Sequence, residues 1–432
     1  MLNNVIKHPV YGRGVVRETR YGGFELRIQF DSALTRWVRR DQVEAQVSEA
    51  SDGIQPSNPL EPAIFRRSRP RRIIESLRMG IVPDDCVDQF TFGRDEEIAK
   101  LKDWLASSNE HTLALIGAYG TGKTHLLNYM RSYATQEGYA IAFVEMDPQE
   151  SPFSKPKRVY NQLITSLRYR PQPQASPKDA RWLLKKAFAE GLLADHRYFG
   201  RIRVNTSDSR LWEWIEARET PPRPYTTDGY YADLPGLYDH GTAANIYCHL
   251  LSTLGWATRR LGLRGLLLIF DEAETLYTRQ SYMAGLRSYN FLDALIATAR
   301  GDANLLRSAS LSGYDYSAFA PDVPFLYERP SGLKVLLAFT NDVHFDASME
   351  LSTLRRIHLN SLDETALQCV LEQISTLYAG TYQLSKSKLP LEDIRDIVSF
   401  DGGPTRLLIK GCVEALDIMR FNPDSDPFEV LV

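Results

Sequence analysis

Thr112-Leu113-Ala114-Leu115-Ile116-Gly117-Ala118-Tyr119-Gly120-Thr121-Gly122-Lys123-Thr124 is the stretch on which the reading of this chain turns. Its first five residues form a short, mostly apolar run of the length and kind found in a strand buried on both faces. The eight residues from Gly117 to Thr124 fit the pattern GxxxxGK[ST], and His125 to Tyr133 continue with helical spacing. A strand, a glycine-rich loop and a helix in that order form a phosphate cradle: backbone N–H groups turn inward, and the helix N-terminus adds a favourable dipole. In such a loop Lys123 reaches the β- and γ-phosphates, and Thr124 ligates Mg²⁺. Gly117, Ala118, Tyr119, Gly120, Thr121, Gly122 and His125 complete the expected contacts. ATP and Mg²⁺ are therefore the expected cofactors.

Working outward, the second informative stretch is Leu266-Leu267-Leu268-Ile269-Phe270-Asp271-Glu272, an apolar strand ending in two carboxylates. There Asp271 is placed to hold the magnesium water shell, and Glu272 to orient and deprotonate an attacking water. Glu274 reads as a surface residue of the following helix.

Around these two stretches the pattern alternates strand and helix from Phe90 to about Leu359, as a parallel α/β sheet requires. Expected strands are Thr112–Ile116, Ala140–Glu145, Leu266–Phe270, Lys334–Phe339 and Arg356–Leu359. Residues 152–240, rich in Tyr, Trp, Arg and Pro, read as an insertion on a core spanning 71–360. Residues 361–432 read as a helical C-terminal lid. Upstream, 1–48 read as a small β module with strand-like runs at Val10–Val16, Phe24–Phe30 and Arg36–Val38. Residues 49–70 read as a linker, rich in Ser, Asp, Gly and Pro in its first part.

The bulk numbers exclude several classes. The 432 residues allow two or three domains, with 43% hydrophobic residues and a net charge of −3. That balance carries no global sign of a nucleic-acid binder, so such a role must come from local patches. Four scattered cysteines show no disulfide or zinc spacing. Neither a signal peptide nor an apolar run long enough to cross a bilayer is apparent, so a cytoplasmic protein without a membrane partner is expected.

Ile73–Pro83, Phe92-Gly93-Arg94-Asp95-Glu96-Glu97-Ile98, Gly117–Thr124, Lys155–Tyr160, Leu263–Leu266 and Asp271-Glu272-Ala273-Glu274 together resemble the ATP-binding proteins of bacteriophage-exclusion (BREX) systems, which are relatives of Orc1/Cdc6 and STAND-type AAA+ ATPases. The resemblance covers roughly 71–420. It implies an AAA+ fold, ATP hydrolysis and a role in prokaryotic antiviral defence beside a helicase or other DNA-acting partner. Homo-oligomeric assembly is also implied, and a slow nucleotide switch that recruits an effector is the alternative. The Gly93-Arg94 box would lie on the adenine side. Asn341, after the Lys334–Thr340 strand, is the expected γ-phosphate sensor, with Thr340 the next choice. Arg406, after Gly402-Gly403-Pro404-Thr405, is the expected second sensor, and Arg355 or Arg356 the expected arginine finger for a neighbouring subunit. Lys123 and Asp271 stand 148 positions apart (271 − 123), longer than a minimal AAA+ core needs.

Separately, His8-Pro9-Val10-Tyr11-Gly12-Arg13-Gly14-Val15-Val16 resembles the opening of the Tudor/SH3-like barrels of UvrD-type helicases and CarD-like factors. Basic residues outnumber acids eight to five between Lys7 and Glu44. DNA contacts by this module would be salt-sensitive.

Overall fold

The computed structural model describes residues 5–8, 12–20, 25–30, 35–39, 44–45, 63–201, 209–218, 236–237, 244–277, 281–309, 311, 323–340, 349–383 and 405–422. Asn341 and the Gly402-Gly403-Pro404 turn lie outside these residues. The chain divides into two compact units, Met1–Ala63 and Ile64–Val432.

In the first unit β1 (Val5–His8), β2 (Gly12–Arg20), β3 (Glu25–Phe30), β4 (Thr35–Arg39) and β5 (Glu44–Ala45) form one sheet, in the order β4-β3-β2-β1-β5. Every pairing is antiparallel, and a bulge falls between Val16 and Glu18. On β3 the pleat sends Leu26 and Ile28 inward onto Val16 and Val38, while Arg27 and Gln29 are exposed. The segments that would close the expected barrel lie outside the described residues.

The second unit is built on a seven-stranded sheet. Its strands are β6 (Thr112–Gly117), β7 (Ala140–Glu145), β8 (Arg168–Tyr169), β9 (Lys178–Asp179), β10 (Leu266–Asp271), β11 (Leu333–Phe339) and β12 (Arg355–Leu359). Their order is β12-β6-β11-β10-β7-β8-β9. The five long strands run parallel, and the β8–β9 hairpin adds an antiparallel edge.

The helices are α1 (Ala63–Arg78), α2 (Asp95–Ala106), α3 (Lys123–Gln136), α4 (Pro156–Ser166), α5 (Ala180–Ala189), α6 (Ser209–Ile215), α7 (Ala244–Arg260), α8 (Tyr282–Arg300), α9 (Met349–Ser352), α10 (Glu364–Tyr382) and α11 (Thr405–Phe421). Alternation along each strand separates two cores. Leu113, Leu115, Leu267, Ile269 and Leu336 face α2 and α3. Ala114, Ile116, Leu268, Phe270 and Leu337 face α4, α5, α7 and α8. Burial on both faces is why these strands read as unbroken apolar runs. The described part of the 152–240 stretch is no appendage: Phe153, Tyr160, Leu184, Phe199 and Trp212 all sit in that second core.

A third core has a composition that sequence order does not suggest. Ile73, Ile74 and Leu77 of α1 pack with Val370, Ile374 and Tyr378 of α10 and with Leu408, Cys412 and Leu416 of α11. Arg78 and Asp417 fasten this bundle by a two-pronged salt bridge of 2.8–3.0 Å, and Tyr378 donates its hydroxyl to the same carboxylate at 2.7 Å. The helix that precedes the sheet is thus packed with the two C-terminal helices.

Two histidines in the second core make stability depend on acid. His196 Nδ1 accepts from the Tyr198 and Phe199 amides at 3.1 and 2.9 Å, and its Nε2 lies 2.9 Å from Thr253 Oγ1. The Thr253 hydroxyl is donated to the His249 carbonyl at 2.7 Å, so His196 Nε2 is the donor of that contact and the ring is neutral. His249 stacks on it with centroids 5.2 Å apart. Burial pushes His196 down to about 3 and His249 down to about 4, from an ordinary value of 6.5. Between pH 6.5 and 4 the unfolded chain therefore binds more protons than the folded one, and stability present above pH 6.5 is lost as pH falls. At pH 5 the loss is about 2 kcal/mol per histidine. Denaturant titrations at pH 7.5 and 5 check this, and equal stability of wild type and His196→Asn at pH 7.5, with equal loss in acid, would rule out the assignment to His196.

Candidate nucleotide site

Gly120 and Gly122 have φ of 79° and 96°, left-handed backbone that lets the loop between β6 and α3 curl over the helix N-terminus. Lys123 is buried, and its ammonium donates to the Gly117 and Ala118 carbonyls at 2.8 and 3.2 Å. Burial lowers its pKa, an effect opposed by Glu274, Asp271 and Glu272.

Parallel pairing of β6 with β11 and of β11 with β10 brings the C-terminal ends of β6 and β10, 154 positions apart (271 − 117), to the same end of the sheet. There Thr124 donates its hydroxyl to Asp271 Oδ2 at 2.7 Å. Asp271 is buried, which raises its pKa, while Thr124, the Glu272 amide and Lys123 hold it down. Magnesium prefers one or two carboxylates and a few other hard oxygens, keeping the rest of its shell for water and phosphate. The adjoining Thr124 hydroxyl and Asp271 carboxylate fit that demand. Among the described residues no three His, Cys, Asp or Glu side chains are grouped to hold a metal unaided.

Glu272 is exposed and stands at φ 54°, an unusual conformation for a residue with a side chain. Its amide donates to Asp271 Oδ1 at 3.0 Å. Partial loss of solvent around its carboxyl, then the nearby Asp271, Glu145 and Glu274 carboxylates, raise its pKa, which makes it a better proton acceptor. Strained backbone of this kind concentrates at functional positions.

A cavity of about 370 Å³ opens on these groups. Ile81, Val82, Phe92, Leu362, Val370 and Ile409 make up its apolar lining. Tyr119, Thr121, Lys123, Thr124, His125 and Glu272 also line it, and Arg406 lies at the rim with Nη1 3.5 Å from the Tyr119 hydroxyl. His125 Nε2 is 2.8 Å from Thr91 Oγ1, and burial beside Arg94 pushes it down to about 4, so its ring is neutral.

Several expected residues sit differently. Arg94 lines the cavity, but its buried guanidinium donates to the Thr121 carbonyl at 2.8 Å and pairs with Glu97 at 3.3 Å. It braces the loop from behind. Gly93 does not line the cavity: at φ 61° it turns the chain into α2, and a Cβ there would meet the Ala366 methyl of α10 at 2.5 Å. Its glycine is explained by that close approach.

Arg355 and Arg356 lie in register with Leu113 and Ala114, near the end of β6 remote from the loop. Arg355 is held there by Glu110 at 2.5 Å and Asp103 at 3.5 Å, and Arg356 donates to the Ser352 carbonyl at 3.4 Å. Neither lines this chain's own cavity, and a finger that serves a neighbouring subunit's site would not. Thr340 does line it, whereas Asn341 lies outside the described residues.

Glu274 is a correction. It is half-buried and accepts from the Thr340 amide at 3.2 Å and from the Thr340 hydroxyl, tying the end of β11 to the turn after β10. The available signal was its spacing, two residues beyond Glu272 on the short helical turn Ala273–Tyr277.

These features define an ATP-binding protein with an α/β nucleotide fold. The family model for the BREX system ATP-binding protein BrxC/D matches residues 65–179 and 241–431, more than half of the chain. The chain belongs to that family. No curated protein matches the sequence. Among solved structures it is similar to the Orc1 protein of Aeropyrum pernix in complex with DNA, at 15% identity and a TM-score of 0.36. That alignment covers 81% of this chain and 65% of the other, so this chain spans less than two thirds of its length. No helix among the described residues is long and apolar enough to cross a membrane.

Proposed function

We propose that this chain is an ATPase of phage defence that hydrolyses ATP with Glu272 as the base and couples turnover to a DNA or helicase partner. The observation that carries the reading is the 2.7 Å contact between Thr124 and Asp271, with Lys123 and Glu272 lining the same cavity. ATP would lie with its base against the apolar lining and its phosphates in the loop after β6. Lys123 leaves its two carbonyls for the β- and γ-phosphates. Thr124 and Asp271 would hold Mg²⁺, which would supply charge stabilisation at the phosphate oxygens. Glu272 takes the proton of the attacking water, and Arg406, at the rim, is the lid residue best placed to sense the phosphates.

Steady-state turnover measured with and without single-stranded DNA tests this reading. Measurable turnover that DNA stimulates supports it. Turnover at the spontaneous rate under both conditions, despite ATP binding, would replace it with the slow switch. Homo-oligomeric assembly belongs to the same proposal, and mass photometry with ATPγS would show it as a mass above that of one chain.

A further inference from the structure

A second charged feature lies away from the nucleotide site. Between Ser151 and Ala189 nine lysines and arginines are set against one acid, Asp179. That acid is already engaged, because its carboxylate caps α5 by accepting from the Trp182 amide at 2.9 Å. The chain as a whole carries net charge −3, so this concentration of positive charge is local.

Helical geometry sorts α5 into two faces. Ala180, Leu183, Leu184 and Ala187 are buried in the core, which leaves Arg181, Trp182, Lys185 and Lys186 on the outward side. Trp182 is 48% exposed, an unusual position for so large a ring, and Lys178 Nζ of β9 lies 5.1 Å from its centroid. Arg181 and Lys185 approach the ring of the buried Trp212 at 5.6 and 5.5 Å. Arg181 also pairs with Glu216, but neither Lys178 nor Lys185 makes a salt bridge among the described residues. Arg168 on the adjoining strand β8 and Arg170 just after it are exposed. This face falls at the β9 edge of the sheet, and α5 lies between the two segments that the BrxC/D family model matches.

We infer that the outer face of α5 and the β8–β9 edge form a binding surface for single-stranded nucleic acid, with Trp182 as the stacking platform and Lys178 and Lys185 on the phosphates. An exposed indole flanked by cations offers the two things a single strand presents, a π face and a regularly spaced negative backbone. An acidic protein segment would use the charge but has no need of a free ring. The inference does not depend on ATP hydrolysis, because binding is read without nucleotide.

The test is fluorescence anisotropy of a labelled thirty-nucleotide oligo-dT with the full-length chain at two salt concentrations. Wild type should bind, with affinity falling steeply as salt rises. Trp182→Ala should weaken binding about tenfold with little change in salt slope, and Lys178→Glu with Lys185→Glu should weaken it more and flatten the slope. Circular dichroism confirms that each variant is folded, and Lys185→Gln, which keeps a long polar side chain, should give an intermediate loss. Unchanged affinity in folded Trp182→Ala and charge-reversed proteins would overturn the proposal and move binding elsewhere on the chain. Labelled poly-glutamate bound as tightly as oligo-dT, and insensitive to Trp182→Ala, would overturn it in favour of an acidic protein partner.

Discussion

Glu272→Gln protein should bind ATP as tightly as wild type and turn it over at least about a hundredfold more slowly, the usual contribution of a positioned general base. The amide keeps the shape of the side chain and cannot take a proton. Because the Glu272 side chain is exposed, and its amide contact to Asp271 and carbonyl contact from the Thr275 amide are both made by backbone, the change should leave the fold intact. Lys123→Ala should fail one step earlier. Its ammonium is buried among Glu274, Asp271 and Glu272, so its removal also leaves three carboxylates uncompensated where the triphosphate must enter. The loss in ATP affinity should be roughly a hundredfold or more. Isothermal titration with ATPγS separates the two variants from each other, and single-turnover hydrolysis separates both from wild type. Wild-type turnover by the Gln variant would remove Glu272 as the base and shift attention to Glu145 and Glu274, the other carboxylates near it.

The contrast between what is legible in the sequence and what is not has a physical basis. Strands buried on both faces carry their signal locally, and the Thr112–Ile116, Ala140–Glu145 and Leu266–Phe270 runs agree with β6, β7 and β10 to within a residue. The loop after β6 is legible for the same reason, since glycine at φ 79° and 96° is demanded by the backbone itself. Where a role depends on which distant surface a residue meets, the sequence says little. Gly93 looks like part of an adenine box, and its reason is the Ala366 methyl 273 positions later (366 − 93). The α1 pattern shows an apolar side but cannot say that α10 and α11, not the sheet, will cover it. Arg355 looks like any strand-edge arginine until Glu110 appears beside it. The β8–β9 hairpin was invisible because Arg168-Tyr169 and Lys178-Asp179 are too short and too polar to display a period.

The same long-range logic gives the largest stability effect expected outside the nucleotide site. Lys334 begins β11 with its side chain buried, and its ammonium donates to the carbonyls of Trp104, Ser107 and Glu110 at 2.7 Å each. Its Nζ also lies 5.0 Å from the centroid of the Trp104 ring. Those carbonyls belong to the C-terminus of α2 and to the turn leading into β6, groups that a helix end leaves short of partners, although the Trp104 carbonyl also accepts from the Ser107 amide at 3.2 Å. Burial lowers the pKa of Lys334 to about 8, while Glu110 raises it. Three donors are needed for three acceptors, so only the protonated amine satisfies the turn. Lys334→Met conserves most of the aliphatic volume and removes every donor. The expected loss is about 3 kcal/mol, because unpaired buried carbonyls are costly and hydrogen bonds from a charged donor are among the stronger ones. Guanidinium titration of the two proteins at pH 7 measures it, and a midpoint shift worth less than about 1 kcal/mol would mean that water replaces the ammonium at that turn. Since the turn feeds directly into the strand that carries Gly117, the Met protein should also bind ATPγS more weakly, by loosening the strand behind the loop and not through any contact of its own.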